Sequence, residues 1–318
     1  MEVANRIAAV LIGRNEGQRL IASLDALTGR VGHIVYVDSG SSDGSVAEAR
    51  QRGAEVISLD MSKPFTAARA RNAGLASLDP ERWEFVQFLD GDCAMQPDWL
   101  RPAVAAMDHN QNLGAVAGRR RERHPERSVY NRLCDAEWDT PVGPALAVSG
   151  DALLRHAAID RIGGFRDDLI AGEEPEMCVR LRAAGWSIER LPVEMSLHDA
   201  DMTRFSQWWR RSRRAGYAFA EGASIHGDTP EQHWRHETRR AVLWGAVLPA
   251  IALLGCFLTP WTLLLLLAYP AQMLRLSRRL GFERAFFTVL GKFPEVFGIM
   301  DFYQLKLRKR RRTLIEYK

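Results

Sequence analysis

The feature that most constrains the fold is an alternation of short apolar runs with helix-period stretches in the first third of the chain. Residues 7–12 are wholly apolar and are closed by Gly13-Arg14-Asn15-Glu16, after which Leu20, Leu24 and Leu27 recur at helical spacing. Residues 33–37 repeat the pattern and end at Asp38. The turn-forming cluster Ser39-Gly40-Ser41-Ser42-Asp43-Gly44-Ser45 then opens a helix that runs to Arg52 and stops at Gly53. Residues 55–59 read as a third strand, 66–78 as a third helix and 85–89 as a fourth strand. Strands alternating with helices at this spacing predict a mostly parallel sheet flanked by helices, an α/β class.

Such a sheet binds ligands beyond the carboxyl ends of its strands. Asp38, Asp60 and the pair Asp90 and Asp92 all fall on that edge. An Asp-x-Asp alone is more often a turn than a site, because acids are common in turns. Several carboxylates on one edge repel each other unless a cation or hydroxyl donors join them, and a ribose with a divalent metal supplies both. Gly91 between the two acids lets the backbone turn tightly against a ligand. Arg71, with Arg69 nearby, offers charge for a diphosphate, although a solvated helix face accounts for it equally well. Gly40-x-x-x-Gly44 fits neither a Rossmann nor a P-loop fingerprint, which argues against nicotinamide and ATP chemistry.

The later half carries a second acidic knot. After an apolar run at 145–148 come Ser149-Gly150-Asp151, a helix expected near 152–158, and Ile162-Gly163-Gly164-Phe165. Gly172-Glu173-Glu174-Pro175-Glu176 follows. A proline suits the first helical position, so Glu174 is expected at or just before a helix start, extended and outward. The helix dipole there favours the ionised form and would keep a base ready near neutral pH. An acidic helix start placed only for stability is the alternative. Residues 187–197 read as a strand closing at His198-Asp199-Ala200-Asp201, which sets His198 among acids. Residues 203–221 form an amphipathic helix bearing Trp208, Trp209 and Tyr217 beside Arg204, Arg210, Arg211, Arg213 and Arg214. Such a helix grips a diphosphate or lipid headgroups, or is a solvated face.

Beyond residue 240 the composition changes. Residues 242–258 and 261–274 are apolar and separated by Thr259-Pro260. Arg239 and Arg240 precede them, and Arg275, Arg278 and Arg279 follow. Each run falls short of the ~20 residues of an ordinary span, and positive charge at both ends fits a hairpin entering and leaving from the cytosolic side. Two short spans, a re-entrant hairpin, an in-plane pair and a buried soluble hairpin stay open. Residues 282–305 are amphipathic and aromatic, and lead into a basic run at 306–312, a combination suited to an anionic membrane surface. The formal charge of +4 is too small to imply nucleic acid, and none is expected as a partner. Four scattered cysteines without a Cys-x-x-Cys pair argue against a zinc site and suit a reducing compartment. The first residues do not read as a secretory signal, so the catalytic part is expected in the cytosol.

Taken together, Val37–Ser45, Ala70-Arg71-Asn72-Ala73-Gly74-Leu75, Leu89-Asp90-Gly91-Asp92, Ile162-Gly163-Gly164-Phe165 and Gly172-Glu173-Glu174-Pro175-Glu176 resemble a family 2 glycosyltransferase with the GT-A fold, of the membrane-associated bacterial type. The ordered set is specific where each piece is not. The resemblance spans residues 7–222. It implies a catalytic domain at 1–222 and a membrane-associated helical region at 223–318. Asp38 and Asp90 would hold the donor nucleoside with help from Arg71, and the nucleotide-sugar site would extend to Asn15, Glu16, Asp60 and Arg210. Asp92 would ligate Mg2+ or Mn2+, with His198 completing the coordination. Glu174 falls where the family has a catalytic aspartate, with Glu173 as the competing base. The Glu-Glu-Pro version departs from the usual Glu-Asp, and Ser39 stands where aspartate is usual. The implied reaction is inverting transfer from a nucleotide-diphosphate sugar to an acceptor, lipid-linked by expectation, for a surface polysaccharide or glycolipid. The implied location is a bacterial inner membrane with the catalytic domain in the cytoplasm. A nucleotidyltransferase and a non-catalytic carbohydrate-binding scaffold are the rivals.

Overall fold

In a computed structural model, residues 3–308 are described. Two compact units divide between Asp201 and Met202. The expected boundary at 222 falls inside a helix that goes with the later unit.

The first unit is built on a nine-stranded sheet. Its centre is β1 (Ile7–Gly13), whose first six residues are buried, as a strand covered on both faces requires. Parallel to it lie β2 (His33–Asp38) on one side and β4 (Phe85–Asp90) on the other, with β3 (Glu55–Ser58) beyond β2. The helices α1 (Gln18–Leu27), α2 (Ser45–Gln51) and α3 (Ala67–Ala76) connect these strands. Register decides the site: Gly13 pairs with Asp38 and Ile12 with Asp90, so both acids leave the sheet at one level. Helix α3 lies close over β1 because Gly74 has no side chain. A Cβ there would collide with Val10 and Val37.

Past Asp90 the sheet is mixed. The short strand β5 (Cys93–Met95) and helix α4 (Leu100–His109) lead to β6 (Leu113–Glu122). Helix α5 (Val129–Glu137), the two-residue β7 (Gly143–Pro144), β8 (Ala152–Arg155) and α6 (His156–Arg161) follow, then α7 (Glu173–Ala183) and β9 (Ser187–His198). The strand order is β3-β2-β1-β4-β8-β6-β9-β5, with β8 antiparallel to β4 and β6, β9 parallel to β6, and β5 antiparallel to β9. The helix expected near 152–158 is therefore corrected to a strand followed by a short helix. Ala152, Leu153 and Leu154 are all buried between β4 and β6, and a continuous apolar run does not by itself distinguish the two.

The second unit is helical. It contains α8 (Phe205–His226), α9 (Arg235–Val242), a π-helical stretch Leu243–Val247 and α10 (Leu248–Gly255). After these come a 3₁₀ stretch Pro260–Leu267, α11 (Ala268–Leu280), α12 (Phe282–Leu290) and α13 (Lys292–Leu307). The amphipathic segment expected at 282–305 is two helices broken at Gly291. Helices α8 and α13 approach through Gly216 and Gly298, where a Cβ on either would overlap the partner's backbone. Arg213 forms two hydrogen bonds to Asp301 (2.7 and 2.8 Å), and Tyr217 stacks edge-on with Phe302. Residues 235–255 form one helix long and apolar enough to cross a membrane, and only 11% of its most apolar window is buried. At the turn beyond it Phe257, Leu258 and Trp261 are 89%, 91% and 75% exposed. The basic run past Arg308 and the final Leu314–Lys318 lie outside the described residues.

Candidate active site

Three strand ends supply the floor of the site. After β2, Asp38 is buried and caps its own turn, accepting the amides of Gly40 and Ser41 (3.0 Å each) and the phenol of Tyr36 (3.2 Å). Gly40 sits at φ +82°, the left-handed conformation that glycine adopts at least cost. After β1, Asn15 joins this turn by accepting the Ser42 amide at 2.8 Å. Glu16 pairs with Arg19 at 2.8 Å and lies against Gly91. After β4, the Gly91 amide donates to Ile12 carbonyl (2.8 Å), which folds the Asp90-Gly91-Asp92 turn over the end of β1.

Arg71 is the hub. Its guanidinium, 2% exposed, donates to Glu173 Oε1 and Asp90 Oδ1 at 2.8 Å each and lies 3.1 Å from Glu174 Oε1. The solvated-face reading of Arg71 is thereby excluded. Its charge is committed to protein carboxylates, while Arg69 donates to the carbonyls of Asp60, Lys63 and Pro64. Arg71, with Arg120 farther off, is set against Asp90, Asp151, Glu173 and Glu174, which leaves the cluster short of positive charge. Burial, reinforced by repulsion from Glu173 and only partly opposed by Arg71, pushes the Glu174 carboxyl up to about 7.

The helix start differs from expectation. Helix α7 begins at Glu173 behind Gly172 in the left-handed conformation, so Glu174 is its second residue and Pro175 its third. Proline is tolerated there because the first-turn amides have no intrahelical acceptor to lose. Glu174 is thus not extended ahead of the helix, and its carboxyl moves up rather than being held ionised by the helix end. Of the two glutamates, Glu174 is the more open, at 17% side-chain exposure against 6% for Glu173.

A second layer comes from residues the motifs did not single out. Asp151, fully buried, accepts the Asp90 amide (3.1 Å) and the Ser196 hydroxyl (2.6 Å), and so ties the β4 turn to β9. Arg120 reaches Asp90 (3.6 Å) and Asp151 (3.7 Å) and lies over the Trp138 indole at 4.7 Å. Gly150 completes the wall: a Cβ there would stand 2.8 Å from Arg71 and Asp90 and 3.0 Å from Glu174. Along the basic run Arg119-Arg120-Arg121, strand alternation turns Arg120 and Glu122 inward and Arg121 out. That period of two was the available signal. Nothing local marks Asp151.

Asp92 and His198 meet at the end of this layer, both buried, with Oδ1 and Nε2 3.4 Å apart. One cation bound at about 2.0–2.1 Å to each could bridge that gap. Burial, then the nearby Arg120, lowers the His198 pKa, which favours the neutral imidazole that a metal needs. Cys93 lies within reach of both, but burial holds its thiol well above the usual range, and thiols suit a hard cation poorly. The donor set therefore fits Mg2+ or Mn2+. Asp60, by contrast, closes its own turn by accepting the Ser62 amide (3.0 Å) and hydroxyl (2.6 Å), and these bonds lower its pKa. Arg210 belongs to the second unit, where it lines a shallow apolar depression with Phe205, Ser206 and Trp209.

Residues 10–165 match the family described as "Glycosyl transferase family 2". A pre-mycofactocin glycosyltransferase of Mycobacterium tuberculosis is 29% identical over 228 residues, covering 66% of this chain and 45% of that protein. This chain thus spans about half the length of the curated relatives it matches. Among solved structures, a mannosyltransferase from Pyrobaculum calidifontis in complex with GDP-mannose and Mn2+ is similar at TM-score 0.65 and 20% identity, over 93% of this chain and 87% of that one. Glucosyl-3-phosphoglycerate synthase from M. tuberculosis in complex with UDP is similar at TM-score 0.50 and 18% identity, over 69% and 79%. These likenesses show a GT-A fold.

Proposed function

We propose, from the premise that this chain belongs to glycosyltransferase family 2 and has its GT-A fold, that it moves a sugar from a nucleoside-diphosphate donor to a hydroxyl acceptor with inversion. The observation that carries the reading is the grouping of Asp90, Glu173 and Glu174 around Arg71, beside the Asp92–His198 pair.

In this mechanism Glu174 is the base. Its Oε takes the acceptor's proton as the acceptor oxygen attacks the anomeric carbon from the face opposite the diphosphate, and the bond to the diphosphate oxygen breaks. Inversion follows from that single displacement. A pKa of about 7 matches a base working near neutrality. Glu173, more enclosed, positions Arg71. Asp90 is assigned to the donor's nucleoside end together with Asp38, Asn15 and Glu16, and Asp151 holds the Asp90 turn. Mg2+ or Mn2+ held by Asp92 and His198 would neutralise charge growing on the departing diphosphate.

The acceptor is assigned as lipid-linked, feeding a surface polysaccharide or glycolipid at the cytoplasmic face of a bacterial inner membrane. Support comes from the exposed apolar turn at Phe257, Leu258 and Trp261, with Arg239 and Arg240 before it and Arg275, Arg278 and Arg279 after it. Holding the catalyst near a membrane raises its effective concentration at such an acceptor.

The test is product analysis with a panel of nucleotide sugars, membrane extracts and Mg2+ or Mn2+. Release of nucleoside diphosphate with an inverted glycosidic product is expected. Release of pyrophosphate would establish a nucleotidyltransferase instead. Sugar binding without turnover under any condition, or unchanged turnover in Asp92→Ala, would favour a scaffold.

A further inference from the structure

One buried carboxylate next to the metal-site pair has no part in the chemistry above. Glu122 closes β6, its side chain fully enclosed. Its Oε1 accepts the His124 amide (3.0 Å) and Asn131 Nδ2 (3.2 Å), and its Oε2 accepts the Ala200 amide (3.0 Å). The same Oε2 faces Nδ1 of His198 at 3.7 Å, and that buried nitrogen has no hydrogen-bond partner among the described residues. Nε2 of the same ring looks the other way, towards Asp92. Trp138 packs edge-to-face on the imidazole at 4.7 Å, and Arg120 lies over the indole, so the ring is gripped from its side while its nitrogens face two different acids.

We propose that Glu122 is a positioning residue for the metal site: it receives the Nδ1–H of His198 and thereby leaves the Nε2 lone pair directed at the cation shared with Asp92. The inference rests on the reading of Asp92 and His198 as the metal ligands. A neutral imidazole carries its proton on one nitrogen only, and the acceptor offered to one nitrogen decides which. With Asp92 and the Nε2 lone pair both turned to the cation, the Glu122 carboxylate is the acceptor left for a ring proton on Nδ1. The present 3.7 Å is longer than a hydrogen bond, and a small rotation of the ring closes it. Glu122 also fixes the chain just past His198 through the Ala200 amide, and α5 through Asn131, so it holds the ligand's backbone as well as its ring.

Mn2+ binding to the intact protein without donor, measured by calorimetry or by loss of the free-ion electron paramagnetic resonance signal, tests this. Asp92→Ala should abolish binding. Glu122→Gln should weaken it by roughly 10- to 100-fold, in a variant whose unfolding midpoint without metal stays above the assay temperature even though one buried amide loses its acceptor. With Mg2+ bound, nitrogen NMR of the His198 ring should show the Nδ1–H form in the wild type and a mixture of forms in Glu122→Gln, a change that mere packing would not produce. Mn2+ affinity in Glu122→Gln within about twofold of wild type, or a Mg2+-loaded wild-type ring protonated on Nε2, overturns the proposal. If Asp92→Ala binds Mn2+ as well as wild type does, the metal reading itself has failed and the proposal falls with it.

Discussion

Glu174 and Arg71 set the energetics of the site between them. A carboxyl raised to about 7 by burial is half protonated near neutrality, so kcat/KM should rise about tenfold per pH unit below 7 and level off above it. Glu174→Gln should lower kcat by roughly 10²–10⁴ while leaving donor affinity near normal. Near-normal turnover in this variant, measured with the cognate donor, would remove Glu174 from the mechanism. The same shift bears on stability. The folded protein binds this proton more tightly than the unfolded chain does. The contribution is therefore fully present below the ordinary 4.5 and lost as pH rises through about 7. Glu174→Gln should accordingly melt above wild type at pH 8 and level with it by pH 4.5. Arg71 has the opposite character. Removing it leaves Asp90, Glu173 and Glu174 facing one another in a buried cluster, so Arg71→Ala should cost about 3–5 kcal/mol in urea denaturation. Arg71→Lys should recover little of this, since an ammonium cannot reproduce the planar fork that meets these acids.

At the scale of elements, the site depends on close approaches that side chains would block. The turn carrying Gly150 between β7 and β8 brings bare backbone against Arg71, Asp90 and Glu174. Glycine at 216 and 298 does the same for α8 and α13, where the α8 backbone at Arg213 and Tyr217 meets Gly298 and the α13 backbone at Glu295 meets Gly216. Replacing either with alanine cannot be absorbed by a rotamer change, because the colliding atoms are main chain. Gly298→Ala should cost about 1–3 kcal/mol, as overpacking does, and should speed proteolysis of the second unit before the first. Equal proteolysis of both units would count against this assignment. The apolar helices are held differently: Thr262 of the 3₁₀ stretch donates to the Ala252 carbonyl of α10 at 3.1 Å, and Tyr269 of α11 donates to the Trp244 carbonyl of the π-helical stretch. They stay paired while their outer surfaces remain apolar and open.

At the scale of the whole molecule, the turn at Phe257, Leu258 and Trp261 leaves large apolar side chains open to water. Phe257, Leu258 and Trp261 together present far more apolar surface than a folded unit needs to leave uncovered. On the proposed membrane attachment, binding to vesicles containing anionic lipid should depend on both insertion and charge. Phe257→Glu with Leu258→Glu should abolish co-sedimentation with such vesicles while leaving turnover on a soluble acceptor analogue intact. Salt should weaken the wild type in part only, because burial of apolar surface is not screened. Unaltered sedimentation of the double variant would place the attachment elsewhere in the chain.

The sequence by itself determined the βαβ half of the sheet, the acids at its carboxyl edge and the apolar pair beyond residue 240. These are local signals: a buried strand must be apolar, a turn needs glycine or a short polar side chain, and a helix needs its period. Asp38, Asp90, Asp92, Glu173, Glu174 and His198 could be named because each lies at such a boundary. Only the tertiary structure decided that Arg71 faces three carboxylates, that Asp151 and Glu122 stand behind Asp90 and His198, and that Asp60 turns back on itself. It also decided that residues 152–155 are a strand. The reason is common to all of them. A buried charge is placed by partners far away in sequence, here often across strands whose pairing no nearby residue encodes, and its protonation follows from that company rather than from its own neighbours in the chain.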